Sequence, residues 1–285
     1  MMSEWAFGQS AATLQDGVPA TAGLSRLWEA SGTLRVAAIS VASQRAYLRK
    51  ATMSSSIKSF VFIDLETTGL PRDRPKVTEI CLLAVHRTSL ENPTCDSATG
   101  ALKLPRMVDK LCLLFDPDKL VTPQAAQMTG LSNGKLAESE KQIFDARTVA
   151  LIQDFLLRQA QPVCLVAHNG DRFDFPLLKT ELQIHSSDLS GPGPVYCLDT
   201  MQAMVELDER RGTTPAVRKG AYTLPGLYKR FFNDLPKHSH SAEGDVLAML
   251  LIFLNRAKEL LEWADTNCHQ WADVLPMYTP RLQES

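Results

Sequence analysis

The sequence has no CxxC pair, no basic excess and no long apolar run, and each absence narrows what it can do. Its six cysteines, at 81, 95, 112, 164, 197 and 268, are scattered, several inside apolar stretches such as ICLLAV and VCLVAH. That pattern reads as reduced core thiols of an intracellular protein, nuclear or cytoplasmic, and argues against a zinc site. Thirty Lys plus Arg against thirty-two Asp plus Glu leave a net charge of −2. No global positive field therefore advertises nucleic acid, and any such contact must come from local patches. The longest strongly apolar run, 247–254, is far short of the roughly 20 residues that span a bilayer, so no membrane partner is expected.

With 285 residues the chain can bury a sizeable core. Residues 1–57 are rich in Ala, Ser, Thr and Gly and lack any strand followed by a turn signal, so they are expected to form a poorly ordered extension. Within it, 24–50 is Ser-rich and Arg-containing with Glu29 as its one acid, a faint transit-like character, and Met53 lies shortly before the first strand. The folded domain is expected over 58–280, with a short tail at 281–285.

What is present begins with FVFIDLETTGL at 60–70. In a strand, side chains at i and i+2 share a face, so this run would deliver Asp64 and Glu66 side by side. Adjacent carboxylates repel, and a hard divalent cation such as Mg²⁺ or Mn²⁺ removes the conflict. The alternative is a strand ending at Ile63 with both acids solvated in a turn. Further on, 77–87 and 107–117 read as buried strands on either side of a polar insert at 88–100, giving an antiparallel meander. Helical stretches follow near 122–128 and 134–136, then an amphipathic helix over 144–159. PVCLVAH (162–168) is a buried strand closed by Asn-Gly, opening a helix that carries Asp174 at its start and Pro176 beside it. VYCLDT (195–200) is another strand, followed by a basic loop with Arg210, Arg211, Arg218 and Lys219 and a helix at 224–232.

The last element predicts a helix over 242–264, with Val246, Met249, Leu250, Phe253, Leu254, Ala257 and Leu261 in one stripe. Asp245 lies on that stripe, where a carboxylate is costly unless it is paired, capped or bound to metal. His240 falls in the loop just ahead, able to reach the same place. Strands with crossover helices imply an α/β architecture, a mixed sheet flanked by helices. Four acids at the ends of core elements, with one imidazole, suit phosphodiester hydrolysis at paired divalent ions.

DLETTG (64–69), HNGDRFDFPLL (168–178) and HSAEGD (240–245) together resemble the DEDDh class of 3′-to-5′ exonucleases. PKVTEICLLAVHR, TGLS at 129–132 and LVAHNGDRFDFPLL are more specifically similar to the three-prime repair exonucleases, over about residues 58–280. The resemblance implies an RNase H-like mixed five-stranded sheet flanked by helices. It also implies an enzyme that removes single nucleotides from DNA 3′ ends, single-stranded by preference, and releases 5′-mononucleotides with two Mg²⁺ ions, or Mn²⁺ in their place. Carried over by position, Asp64, Glu66, Asp174 and Asp245 are metal ligands and His240 the general base. Glu66, Thr67, Leu70, Met128 and Phe173 hold the terminal nucleotide, and Arg172 and the 210–219 loop meet phosphates. Three positions depart from the family pattern: Thr67 replaces Ala, Met128 a β-branched residue and Phe173 a Tyr. GALKLPRMVDK stands where some members carry a proline-rich loop, and the chain resembles the shorter member that lacks both this loop and a membrane tail. The family's homodimer implies pairing through 110–116, KLCLLFD. RNA as substrate, or a catalytically silent binding module on the same fold, are the alternatives. His168 and Asn169 read as structural or as supports behind the site, His86 and His185 as lone surface or core residues, and Asp199 as orienting a loop.

Overall fold

The computed structural model describes residues 56–189, 193–216 and 219–279, all within the unit spanning 41–285. The extension predicted over 1–57 lies outside the described residues except for its last two, of which Ile57 is fully buried in the core. The predicted tail at 281–285 is also outside them.

β1 (Ser59–Thr67) and β2 (Val77–His86) pair antiparallel along their whole length. The polar insert predicted over 88–100 is not featureless: it holds α1 (Arg87–Glu91) and leads into a hairpin of β3 (Thr94–Cys95) and β4 (Leu102–Lys103). Asp96 makes this turn, its Oδ1 accepting the Ala98 and Thr99 N–H groups. β5 (Val108–Leu114) pairs antiparallel with β2, completing the predicted meander.

α2 (Pro123–Thr129) and α3 (Asn133–Glu138) start on Thr122 and Ser132, whose hydroxyls accept the N–H groups of Ala125 and Lys135. α4 (Ala146–Leu157) is the predicted amphipathic helix, capped by Asp145. β6 (Val163–Ala167) is wholly buried and runs parallel to β1. α5 (Asp174–Ile184) then crosses to β7 (Val195–Asp199), parallel to β6. α6 (Thr200–Arg211) replaces the first part of the predicted basic loop. α7 (Leu224–Phe232) has the predicted bounds.

The single helix predicted over 242–264 is two, α8 (Ala242–Asn255) and α9 (Ala257–Asn267), broken at Arg256 with φ −124°. The break has an electrostatic reason. Arg256 is only 7% exposed, and its guanidinium donates to Asp208 at 2.6 Å and to Glu259 at 2.8 and 3.0 Å. β8 (His269–Gln270) adds a sixth strand to the five predicted, in the order β5-β2-β1-β6-β7-β8. Two residues carry no alternation for a reader of the sequence to find.

The sheet separates two apolar layers. Phe60 and Phe62 face α8, their rings 5.8 and 5.3 Å from that of Phe253. Val61, Ile63 and Leu65 face the other way and pack with α4 and α5 through Ile152, Phe155, Leu177 and Leu178.

Candidate active site

Alternation along β1 places Asp64 and Glu66 on the α8 face, in line with Phe60 and Phe62. β1 also outruns its parallel neighbour, since pairing with β6 stops at Phe62–Val166. The two acids therefore project past the carboxyl end of β6, in the crevice where open α/β sheets place their sites. α8 supplies the third member from its first turn. Carboxylate oxygens of Asp64, Glu66 and Asp245 all lie within 4.8 Å of one another. Asp174, 4% exposed, stands behind this trio at the start of α5, where its Oδ1 accepts the Leu65 N–H at 3.2 Å.

Among the described residues no Lys or Arg forms an ion pair with any of these four acids. Each carboxyl consequently holds its proton more tightly than in water. Asp64 is pushed well up, first by burial and then by Asp174, Asp245 and Glu66. Glu66 is pushed up to about 8 by burial, then by Asp245, Glu79 and Asp174. Asp174 rises to about 8 through burial, against the opposing pull of its own N–H and that of Leu65. Asp245 rises through burial, while the His240 N–H on its carboxylate acts the other way. A half-buried cluster of oxygen donors with no Lys or Arg beside it fits a hard divalent ion.

His240 sits in the loop before α8, exposed and in the left-handed region at φ 65°. Its N–H donates to Asp245 Oδ2 at 3.2 Å, which couples the loop to the acid. The Ser241 hydroxyl ties the turn together, donating to the His238 carbonyl and accepting the Gly244 N–H. Gly244 is required for this packing, because a Cβ there would stand 2.1 Å from the His238 carbonyl oxygen.

Beside the acids opens a cleft of about 440 Å³, lined by Glu66, Thr67, Leu70, Met128 and Phe173 among others. Five of the six residues predicted to meet substrate thus line one space, and Glu66 joins it to the acidic trio. Leu70 and Met128 are 44% and 52% exposed, unusual for apolar side chains that have the core within reach. Thr67 is held by its own hydroxyl, which donates to the Gly69 carbonyl. Arg172, the sixth, lies outside that lining, exposed on the turn before α5.

The predicted basic loop needs correction. Arg210 and Arg211 end α6 and pair with Glu206 and Glu259, Arg218 is outside the described residues, and Lys219 is exposed. His168, expected to be structural or to support the site from behind, and His185, expected to be a lone surface or core residue, both have partners. His168 is bridged to Thr200 Oγ1 and the Tyr222 carbonyl, each at 2.9 Å, and His185 to the Phe144 carbonyl. Asp199 both caps α6 and accepts the Asn169 and Asp171 N–H groups, fixing the turn that leads to Phe173. Not expected at the site is Glu79, a lone acid inside the apolar VTEICLLAV, which stands opposite Glu66 in the β1–β2 register. Its signal is visible afterwards: an acid in phase with the buried face of a strand.

The profile of the Exonuclease family matches residues 61–253, so the chain belongs to that family. Within that class the chain belongs to the three-prime repair exonucleases, which are 3′-to-5′ enzymes. It is 50% identical to three prime repair exonuclease 2 of Homo sapiens over 78% of this chain and 94% of that one. It is 42% identical to three-prime repair exonuclease 1 of Bos taurus over 80% of this chain and 73% of that one. Exonuclease I of Methylocaldum szegediense superposes with a TM-score of 0.56 at 20% identity, over 74% of this chain and 43% of that one. E. coli exonuclease I, solved with an oligonucleotide, gives 0.54 at 19% identity over 72% of this chain and 43% of that one. The chain spans less than half the length of those two structures. Their likeness concerns the fold, an RNase H-like mixed sheet flanked by helices. No helix among the described residues is long and apolar enough to cross a membrane.

Proposed function

We propose that this exonuclease hydrolyses the terminal phosphodiester of single-stranded or frayed DNA 3′ ends and releases 5′-mononucleotides. The observation that carries the reading is the acidic trio gathered within 4.8 Å without a cation of its own. Asp64, Glu66 and Asp245 would hold Mg²⁺, or Mn²⁺ in its place, with Asp174 contributing directly or through water. When bound, a pair of such ions supplies water activation and charge stabilisation at the leaving oxygen.

The chain's own residues do the rest. His240 takes the proton of the attacking water, its loop clamped to Asp245 through the backbone. Leu70, Met128 and Phe173 grip the terminal bases by apolar contact and stacking, which tolerates any base. Thr67 and Glu66 orient the terminal sugar, and exposed Arg172 meets a phosphate. β5 is a sheet edge, with β2 on one side only, so pairing of two copies across 110–116 would satisfy its open backbone groups and form a homodimer.

The test is digestion of 3′-labelled single-stranded DNA in Mg²⁺ beside a matched RNA. Wild type should release 5′-deoxymononucleotides, and His240→Ala should lower the rate by about a hundredfold or more. Intact DNA with Mg²⁺ present would refute the reading, and faster loss of the RNA would reassign the substrate.

A further inference from the structure

We propose that Glu79 is a positioning residue, fixing the first turn of α8 so that Asp245 and His240 stand at the right distance from the β1 acids. In the β1–β2 register Glu79 lies opposite Glu66, which brings its side chain up beside the acidic trio. It does not join that trio. Its Oε2 instead accepts the N–H of Ala242, the first residue of α8, at 3.3 Å. That N–H is one of the four donors a helix start leaves without an internal partner, and Ala242 is fully buried.

The turn anchored in this way is a single body. The Ser241 hydroxyl bridges His238 and Gly244, and the His240 N–H reaches Asp245. Two side chains of the sheet hold it among the described residues, Glu79 at Ala242 and Lys110 at Glu243. The Lys110–Glu243 pair is 44% exposed on both sides, where ion pairs contribute little. Glu79 is the inner tether. A carboxylate set beside three others is a costly choice for a strand face otherwise filled with hydrocarbon, and the bond to α8 accounts for it. Ligands need placement within roughly half an ångström, and groups that only orient them change metal affinity about 10- to 100-fold when removed.

This inference rests on the metal-dependent reading above. Mn²⁺ binding to the intact protein, measured by calorimetry, tests it together with hydrogen exchange across 239–245 in metal-free protein. Glu79→Ala should weaken Mn²⁺ by about tenfold or more, lower kcat while leaving KM for single-stranded DNA within about twofold, and speed exchange at the start of α8. Glu79→Gln keeps an acceptor at the same reach and should restore affinity to within about threefold. Glu79→Asp keeps the charge but falls a methylene short, and should behave like Glu79→Ala. The proposal is overturned if Glu79→Ala matches wild type or if Glu79→Gln is as impaired as Glu79→Ala. Should Glu79→Ala not fold, a wild-type Glu79→Asp overturns it equally. An Asp64→Ala control that binds Mn²⁺ like wild type would instead sink the metal site itself, while exchange across 239–245 would still decide the tether.

Discussion

Buried Asp208 and the half-buried Asp64 cluster are both acids set against the core, and they differ in what surrounds them. Asp208 is 3% exposed and takes three donors from its own chain, Tyr222 at 3.1 Å, Arg230 at 2.8 Å and Arg256 at 2.6 Å. Asp64, Glu66 and Asp245 crowd together with no Lys or Arg partner among the described residues and only the His240 N–H on Asp245. One site is electrically closed, and α8 is interrupted at Arg256 in the course of closing it. The other is electrically open, and on the proposed function a divalent cation would close it. Asp208 finds its counter-charge within the chain, in Arg230 and Arg256, and the trio does not.

Substitution separates the two most sharply. Asp64→Asn should lower exonuclease rate by more than about a thousandfold. It should also raise the melting temperature of metal-free protein by a few degrees, on the order expected from relieving like-charge repulsion. Activity within tenfold of wild type, or a lowered melting point, would erase the contrast. Asp208→Ala should show the reverse, a loss of about 3–5 kcal/mol in denaturant unfolding, because buried Arg256 keeps only Glu259 while Arg230 and Tyr222 also lose their shared carboxylate. The rate per folded molecule should stay within about twofold.

The subtlest difference is in pH dependence. Glu66 and Asp174 rise from ordinary values of 4.5 and 3.8 to about 8 in the folded metal-free protein. Between those limits the folded state holds more protons than the unfolded one, so stability must fall as pH rises through the window. Melts in chelator should therefore decline from pH 5 to pH 8 and level off beyond. Excess Mg²⁺ should flatten or reverse the decline, since binding displaces the protons. A flat profile in chelator would mean that the acids are compensated from within.

The sequence is most informative where periodicity and chemistry coincide. Asp64 and Glu66 interrupt a run of hydrocarbon at period two, and Asp245 interrupts a helical stripe, so each is visible as a breach of pattern. The meander, β6, β7 and α7 follow the same logic. What escapes has a common physical cause: it depends on partners distant in the chain. The split between α8 and α9 turns on Asp208, 48 residues before Arg256. α6 hides because its DERR end reads as solvated loop until distant Glu259 is seen to pair with Arg211. β8 exists only because β7 offers it an edge. Glu79 acquires meaning only once α8 has been docked above it.

Gly244 carries a lesson for anyone choosing or interpreting variants. Helix propensity nominates Gly244→Ala as a gain of roughly 1 kcal/mol, the mildest of exchanges. In this turn the added methyl would have to displace the His238 carbonyl, 2.1 Å from where it must go. The loop carrying His240 would be pried from Asp245, so a change scored as conservative would be among the most disabling single-methyl additions the domain could receive.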